Sequence, residues 1–212
     1  ACAASTTEVT VQKIAADGLT VLNETTVSAT WMEANLPVQG DGTTHYYGQG
    51  PTFNDSNLWD ETETINWEDK DMGAVRGTDI KDLCDLIGGA ETGDEIVLRA
   101  SDGFYKTFPY ENVYSPAARQ GPIVLAWEKD GDSVTDGAYA DGMRNVFFAD
   151  TSTNPNGSHI YGNWDMHETL PEAYRHYFDG PYPATTGLSV QTINQIKILT
   201  DEPAPVTIYD DA

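Results

Sequence analysis

Hydrophobic and polar positions alternate from residue 8 to residue 14, and the Ala16-Asp17-Gly18 turn leads back into an extended stretch at 19–22, which predicts a β-hairpin. Residues 26–35 follow as one short amphipathic turn or helix around Trp31 and Met32, stopped by Pro37. Between 38 and 76 no period emerges. Gly, Asp, Asn and Thr are interleaved there with Tyr46, Tyr47, Phe53, Trp59 and Trp67, so the expectation is a long ordered loop region whose aromatic rings need somewhere to pack.

The strongest local pattern predicts a helix over 78–89. Ile80, Leu83, Cys84 and Ile87 fall at i, i+3, i+4 and i+7; Thr78 can cap it, Asp79 and Asp82 suit its positive end, and Gly88-Gly89 ends it. Strands are expected at 95–100 and 105–108 around the turn Ser101-Asp102-Gly103, and at 121–128 and 145–149 around an Asp/Gly-rich loop. Residues 171–178 suit a short helix with Pro171 in its first turn, 191–199 a long strand, and 206–209 a short terminal one. The sum is an α+β chain: a β-rich mixed-sheet domain with few short helices and long ordered loops. One domain spans 8–200, flanked by arms at 1–7 and 201–212.

Charge changes this picture. The 212 residues carry 34 Asp plus Glu against 11 Lys plus Arg, a formal charge of −23. Such a chain is repelled by nucleic-acid phosphates and anionic lipid, so neither is an expected partner. At 39% hydrophobic it is nonetheless too apolar to be a disordered acidic tail. Its apolar runs fall far short of the roughly 20 residues a membrane helix needs, so membrane insertion is not expected. The opening Ala1-Cys2-Ala3-Ala4 is of the small-residue kind left by signal-peptide cleavage, and three sequons begin at Asn23, Asn54 and Asn156. The expectation is an extracellular or cell-surface protein, glycosylated at those asparagines.

Two cysteines, Cys2 and Cys84, allow one disulfide within the chain or one between chains; the alternative is two thiols with Cys84 packed as a small hydrophobe.

The run Arg76-Gly77-Thr78-Asp79-Ile80-Lys81-Asp82-Leu83, then Gly88-Gly89, Ala100-Ser101-Asp102-Gly103-Phe104, the strand at 122–127 and Asp141-Gly142-Met143-Arg144 resembles the oxidoreductase molybdopterin-binding domain of the sulfite oxidase type. Trp31-Met32-Glu33, His45-Tyr46-Tyr47 and Asn163-Trp164-Asp165-Met166-His167-Glu168 are similar to segments of exported proteins of methanogenic archaea. The resemblance covers roughly residues 8–200 and implies that domain's fold. It also implies a cysteine thiolate on the metal, from a position within about 38–75, where this chain has no cysteine. Of the basic residues a pterin phosphate calls for, only Arg144 stands where the motif puts one. The expectation is an inherited fold without the cofactor.

For other chemistry, Asp130, Asp132, Asp136 and Asp141, with the cluster Glu61, Glu63, Glu68, Asp69 and Asp71, supply the hard oxygens that calcium takes, although 130–141 does not match an EF-hand loop. His167, Glu168, Glu172 and His176 could converge on a transition metal, but the spacing is not HExxH and Pro171 interrupts it. Nucleophile elbows, Walker loops and dinucleotide fingerprints are absent from the sequence. Three readings follow. The first is a self-assembling surface subunit (sheath, surface layer or filament) whose partner is itself, through terminal strands and sheet edges. The others are an extracellular molybdopterin-dependent oxidoreductase and a soluble divalent-cation-binding module.

Overall fold

The computed structural model describes residues 4–206. Two sheets share one hydrophobic core. The first is built from β1 (Glu8–Ile14), β2 (Val21–Ser28), β6 (Glu95–Ala100), β7 (Tyr105–Pro109) and β14 (Ile193–Leu199), in the order β2-β1-β14-β6-β7. All its pairings are antiparallel except β1 with β14. The second runs β10-β8-β5-β4-β11, from β4 (His45–Gly48), β5 (Asp71–Asp79), β8 (Ile123–Lys129), β10 (Arg144–Phe147) and β11 (His159–Tyr161). Short strands β3 (Val38–Gln39) and β9 (Asp132–Ser133) lie against β5 and β8, and β12 (Tyr177–Phe178) pairs with β13 (Tyr182–Pro183). Helices α1 (Ala29–Asn35), α2 (Ile80–Asp85), α3 (Tyr110–Tyr114) and α4 (Asn163–Thr169) are all short, so the chain is strand-rich α+β. No helix among the described residues is long and apolar enough to cross a membrane.

Local chemistry accounts for much of this. Asp17 turns the β1–β2 hairpin by accepting from the Leu19 and Thr20 amides, and Asp102 turns β6–β7 by accepting from Phe104 N. Ser28 caps α1 through Trp31 N at 3.1 Å, burying Ala29 and Met32 while Trp31 stays 40% exposed. The helix predicted over 78–89 shortens to α2, Ile80–Asp85, and the apolar positions are buried: Ile80, Leu83 and Cys84 from the helix and Ile87 from the turn after it all enter the core. The sheets meet through contacts such as Phe108 of β7 against Phe147 of β10, ring centroids 5.8 Å apart.

Several expectations need correction. The loop predicted for 38–76 contains β3, β4 and most of β5, the longest strand in the molecule. Strand β5 is buried on both faces, so Met72-Gly73-Ala74-Val75 shows no alternation to read. Thr78 does not cap α2; it lies within β5 and accepts from Trp127 Nε1, while Asp79 caps through Lys81 N. Burial pushes the Asp79 carboxyl up to about 6. The helix predicted at 171–178 shrinks to one 3-10 turn, Glu172–Tyr174, with Pro171 just outside it. The terminal strand β1 is hydrogen-bonded on both sides, by β2 and β14, and so is not an edge. The strand expected at 206–209 lies outside the described residues beyond Val206, as does Cys2.

The edges differ in how they are protected. Strand β7 carries Lys106 and Pro109. The residues after the β12–β13 hairpin cover β10: Asn145 N donates to Val190 O, and Ile193 N donates to Met143 O at 2.7 Å. Strand β11 is three residues long, and Tyr161 O accepts from Thr185 Oγ1. Strand β2 has eight residues and neither Lys nor Pro. Ala29 N donates to Thr7 O next to the β1–β2 ladder. Counting by alternate residues from that bond, Thr25 and Val27 face β1, while Glu24 and Thr26 turn N–H and C=O outward.

Candidate functional site

A groove of about 630 Å³ opens between the loop after β4, the start of β5, the start of β10 and the β12–β13 hairpin. Arg144 forms part of its wall. The Arg144 side chain is 17% exposed, and its Nε donates to Ser189 Oγ at 2.7 Å. The nearest carboxylate, Asp141, is 3.7 Å from one terminal nitrogen, which is long for a charged pair. Burial holds the guanidinium pKa below its usual value. His176 lies in the same groove and accepts from Lys106 Nζ at 3.1 Å; burial and then the Lys106 charge hold the imidazole below its ordinary range. At the rim Phe53 and Phe178 stand about half exposed, 6.0 Å apart in an edge-to-face pair. Lys70, Asp69 and Asp71 complete a mixed-charge floor. The arrangement offers a guanidinium with spare donors beside aromatic faces, which suits a small organic carboxylate.

It does not suit a molybdopterin. The soft sulfur ligand is missing: Cys84 is fully buried in the core on α2, where burial pushes its thiol far above the ordinary range. Asp69 and Asp71 in the groove lining add negative charge that would disfavour a phosphate. Such burial also closes Cys84 to a bond with another chain in this conformation.

Behind the groove lies a buried polar network. Gln49 Nε2 donates to Asp60 Oδ2 and to Ile65 O, both at 2.7 Å, and Gln49 Oε1 accepts from Asn163 N. Asn163 Nδ2 donates to Gly50 O, and its Oδ1 accepts from Thr185 N. Asp60 also accepts from the Thr64 and Ile65 amides. Asp165, at the start of α4 and without exposed surface, accepts from Arg119 Nε at 2.8 Å and from Gly162 N at 2.9 Å. Against it lies Glu63, equally buried, with Oε1 accepting from Thr153 Oγ1 at 3.3 Å and Oε2 without a donor. Burial first, and Asp165 second, push the Glu63 carboxyl up to about 9.

The residues singled out from sequence are dispersed. Asp130, Asp132 and Asp141 line one shallow depression of about 270 Å³ beside Lys129; Asp136 is not among its lining residues and accepts from Ala138 N instead. Asp130 Oδ1 is occupied by Ala74 N. Asp71 pairs with His45 at 2.8 Å, while Glu61, Glu68 and Asp69 are exposed. His167 pairs with Glu168 and stacks on Trp164, and Glu172 is exposed, so these two histidines and two glutamates do not converge. Among the described residues no three His, Cys, Asp or Glu side chains are placed to hold one ion. Asn23 and Asn156 are exposed and Asn54 is partly so; Asn23 Nδ2 donates to Ile87 O. Sequence reasoning missed Gln49, Asp60, Arg119, Asn163, Asp165 and Thr185, since isolated polar residues carry no period that marks them as buried.

No protein-family model matches the chain, and no curated protein matches it either.

Proposed function

We propose that this chain is an exported cell-surface structural subunit that assembles with copies of itself, on a cofactor-less domain of the molybdopterin-binding type. The observation that carries the reading is the bare edge of β2. Its outward amide and carbonyl at Thr26 lie beside a groove of about 470 Å³ formed with Trp31 and Leu86, which can receive a strand, while the Glu24 amide is already bonded to Asn23 Oδ1. Exposed apolar side chains extend the surface: Leu19 and Val21 at the hairpin tip and Trp31 beyond the other end. Edges of this length without Lys or Pro promote pairing between chains, and a terminal segment of a copy, rather than that copy's own β2, is the occupant that leaves the assembly open, since β2 against β2 closes at two.

The test is Thr26→Pro. It deletes one outward N–H and leaves the β1 backbone ladder intact, losing with it only the exposed Thr10–Thr26 hydroxyl bond, so monomer stability should fall by about 1 kcal/mol while assembly is lost. Electron microscopy of wild type and variant side by side reads the outcome. A variant that assembles as the wild type does would remove β2 from the contact.

The Arg144 groove favours a second activity, binding of a small carboxylate. Benzoate should raise the melting temperature of the wild type in a saturable way and leave Arg144→Gln unmoved. No shift in the wild type would end that reading.

A further inference from the structure

The carboxyl pair Glu63–Asp165 is placed where neither side chain can be stabilised by water. Asp165 has both oxygens engaged, Oδ1 by Arg119 and Oδ2 by Gly162 N. Glu63 Oε1 accepts from the Thr153 hydroxyl, the Asn154 side chain lies beside the carboxyl, and Oε2 has no hydrogen-bond partner. The backbone is shaped to make the approach. Glu63 adopts a left-handed φ of 52°, and Gly162 leaves the space its side chain fills, since a Cβ there would sit 2.6 Å from Glu63 Cγ. The charged and titratable groups around the pair are Asp60 on the same loop, Tyr161 on β11, Glu168 on α4, and Arg119 from the segment before β8; Arg119 is spent on Asp165 and lies 4.0 Å from Glu168. With no donor engaging it and the Asp165 carboxylate within reach, Oε2 is satisfied if it carries a proton and donates it to Asp165.

We infer that the proton shared between Glu63 and Asp165 is a pH-sensitive latch holding the segment from Gln49 to Asn66 against α4. That segment supplies Pro51, Phe53 and Asn66 to the groove wall, so opening the latch reshapes the groove. The sign follows from linkage. A free Glu63 ionises near the ordinary glutamate value of 4.5, whereas in the closed form it keeps its proton to about 9. Opening therefore releases one proton throughout that window, and the opening equilibrium rises up to about tenfold per pH unit until it levels off above about 9. Asp79, held up to about 6 by burial, lies outside residues 49–66, so its titration is read apart from that of Glu63.

The experiment is amide hydrogen exchange of residues 49–66 across pH 6.5–9.5, expressed as protection relative to intrinsic rates. The wild type should lose protection with rising pH and level off near 9. Glu63→Gln keeps a donor toward Asp165 but cannot titrate, so its protection should be independent of pH and no lower than that of the wild type at pH 9. Infrared spectra of the wild type supply a readout that needs no variant: a protonated-carboxyl carbonyl band present at pH 7 and gone by pH 10. Wild-type protection flat across the range, a pH dependence retained in Glu63→Gln, or absence of the band would each overturn the latch. So would stabilisation by calcium that Glu63→Gln abolishes, because a cation would then sit where the proton is placed.

Discussion

Gly121→Ala should destabilise the protein by about 4 kcal/mol, enough to leave little folded material in a chain of ordinary stability. Gly121 precedes β8 and has a φ of +67°, and a Cβ there would stand 1.8 Å from Phe148 O and 2.3 Å from Phe148 C. Both contacts are backbone atoms of the strand-end pairing in which Phe148 N donates to Pro122 O, so relief requires parting β8 from β10. The left-handed backbone alone costs an alanine about 1–2 kcal/mol, and the clash supplies the remainder. Gly131→Ala separates the two effects, since Gly131 has a φ of +86° with nothing within 4 Å of its would-be Cβ. Chemical denaturation should find it destabilised by only about 1–2 kcal/mol. Equal losses in the two variants would mean that the clash at Gly121 is not what constrains it.

Arg119→Ala should cost about 3 kcal/mol. Removing one partner of a buried ion pair leaves the other without its counter-charge, and Asp165 has no exposed surface. Arg119 is itself 24% exposed, so water entering the vacated space keeps the loss at the lower end of the range for such deletions. At roughly 2–4 °C per kcal/mol for a chain of this size, the melting temperature should fall by about 6–12 °C. Pairing the change with Asp165→Asn should recover part of the loss, because the stranded charge is then gone. A drop of less than 2 °C in the single variant would mean that Asp165 finds its stabilisation elsewhere.

Where one face of an element is wet, the sequence reported it well. Strand β1 was legible from alternation, since Val9 and Val11 point into the core between partly exposed neighbours. Helix α2 was legible in place but not in length: Ile80, Leu83 and Cys84 form one stripe, whereas Ile87 is buried from the turn beyond the helix end. Strand β5 was not, because both of its faces are covered and its glycines imitate a loop. Thr78 looked like a cap from composition alone, yet the strand continues one residue further and Asp79 takes the role. Little of the candidate site could be read. Arg144 was marked by its motif, but its groove is assembled from segments distant in sequence. Glu63 was grouped with Glu61, Glu68, Asp69 and Asp71 as one acidic surface, and only the left-handed turn and Gly162 carry it into the interior. Nothing in a run of acidic residues says which one is buried.

The same acidity bears on assembly. At −23 the copies repel one another, and pairing at β2 must overcome a field that salt screens and divalent cations neutralise. The most direct measurement is the native mass of the wild-type protein by light scattering, first at low ionic strength and then with added calcium or high salt. A mass that grows to many times the 23.1 kDa chain as screening increases is the predicted result. A mass fixed at one chain under every condition, or halting at two, would contradict an open polymer built on the β2 edge.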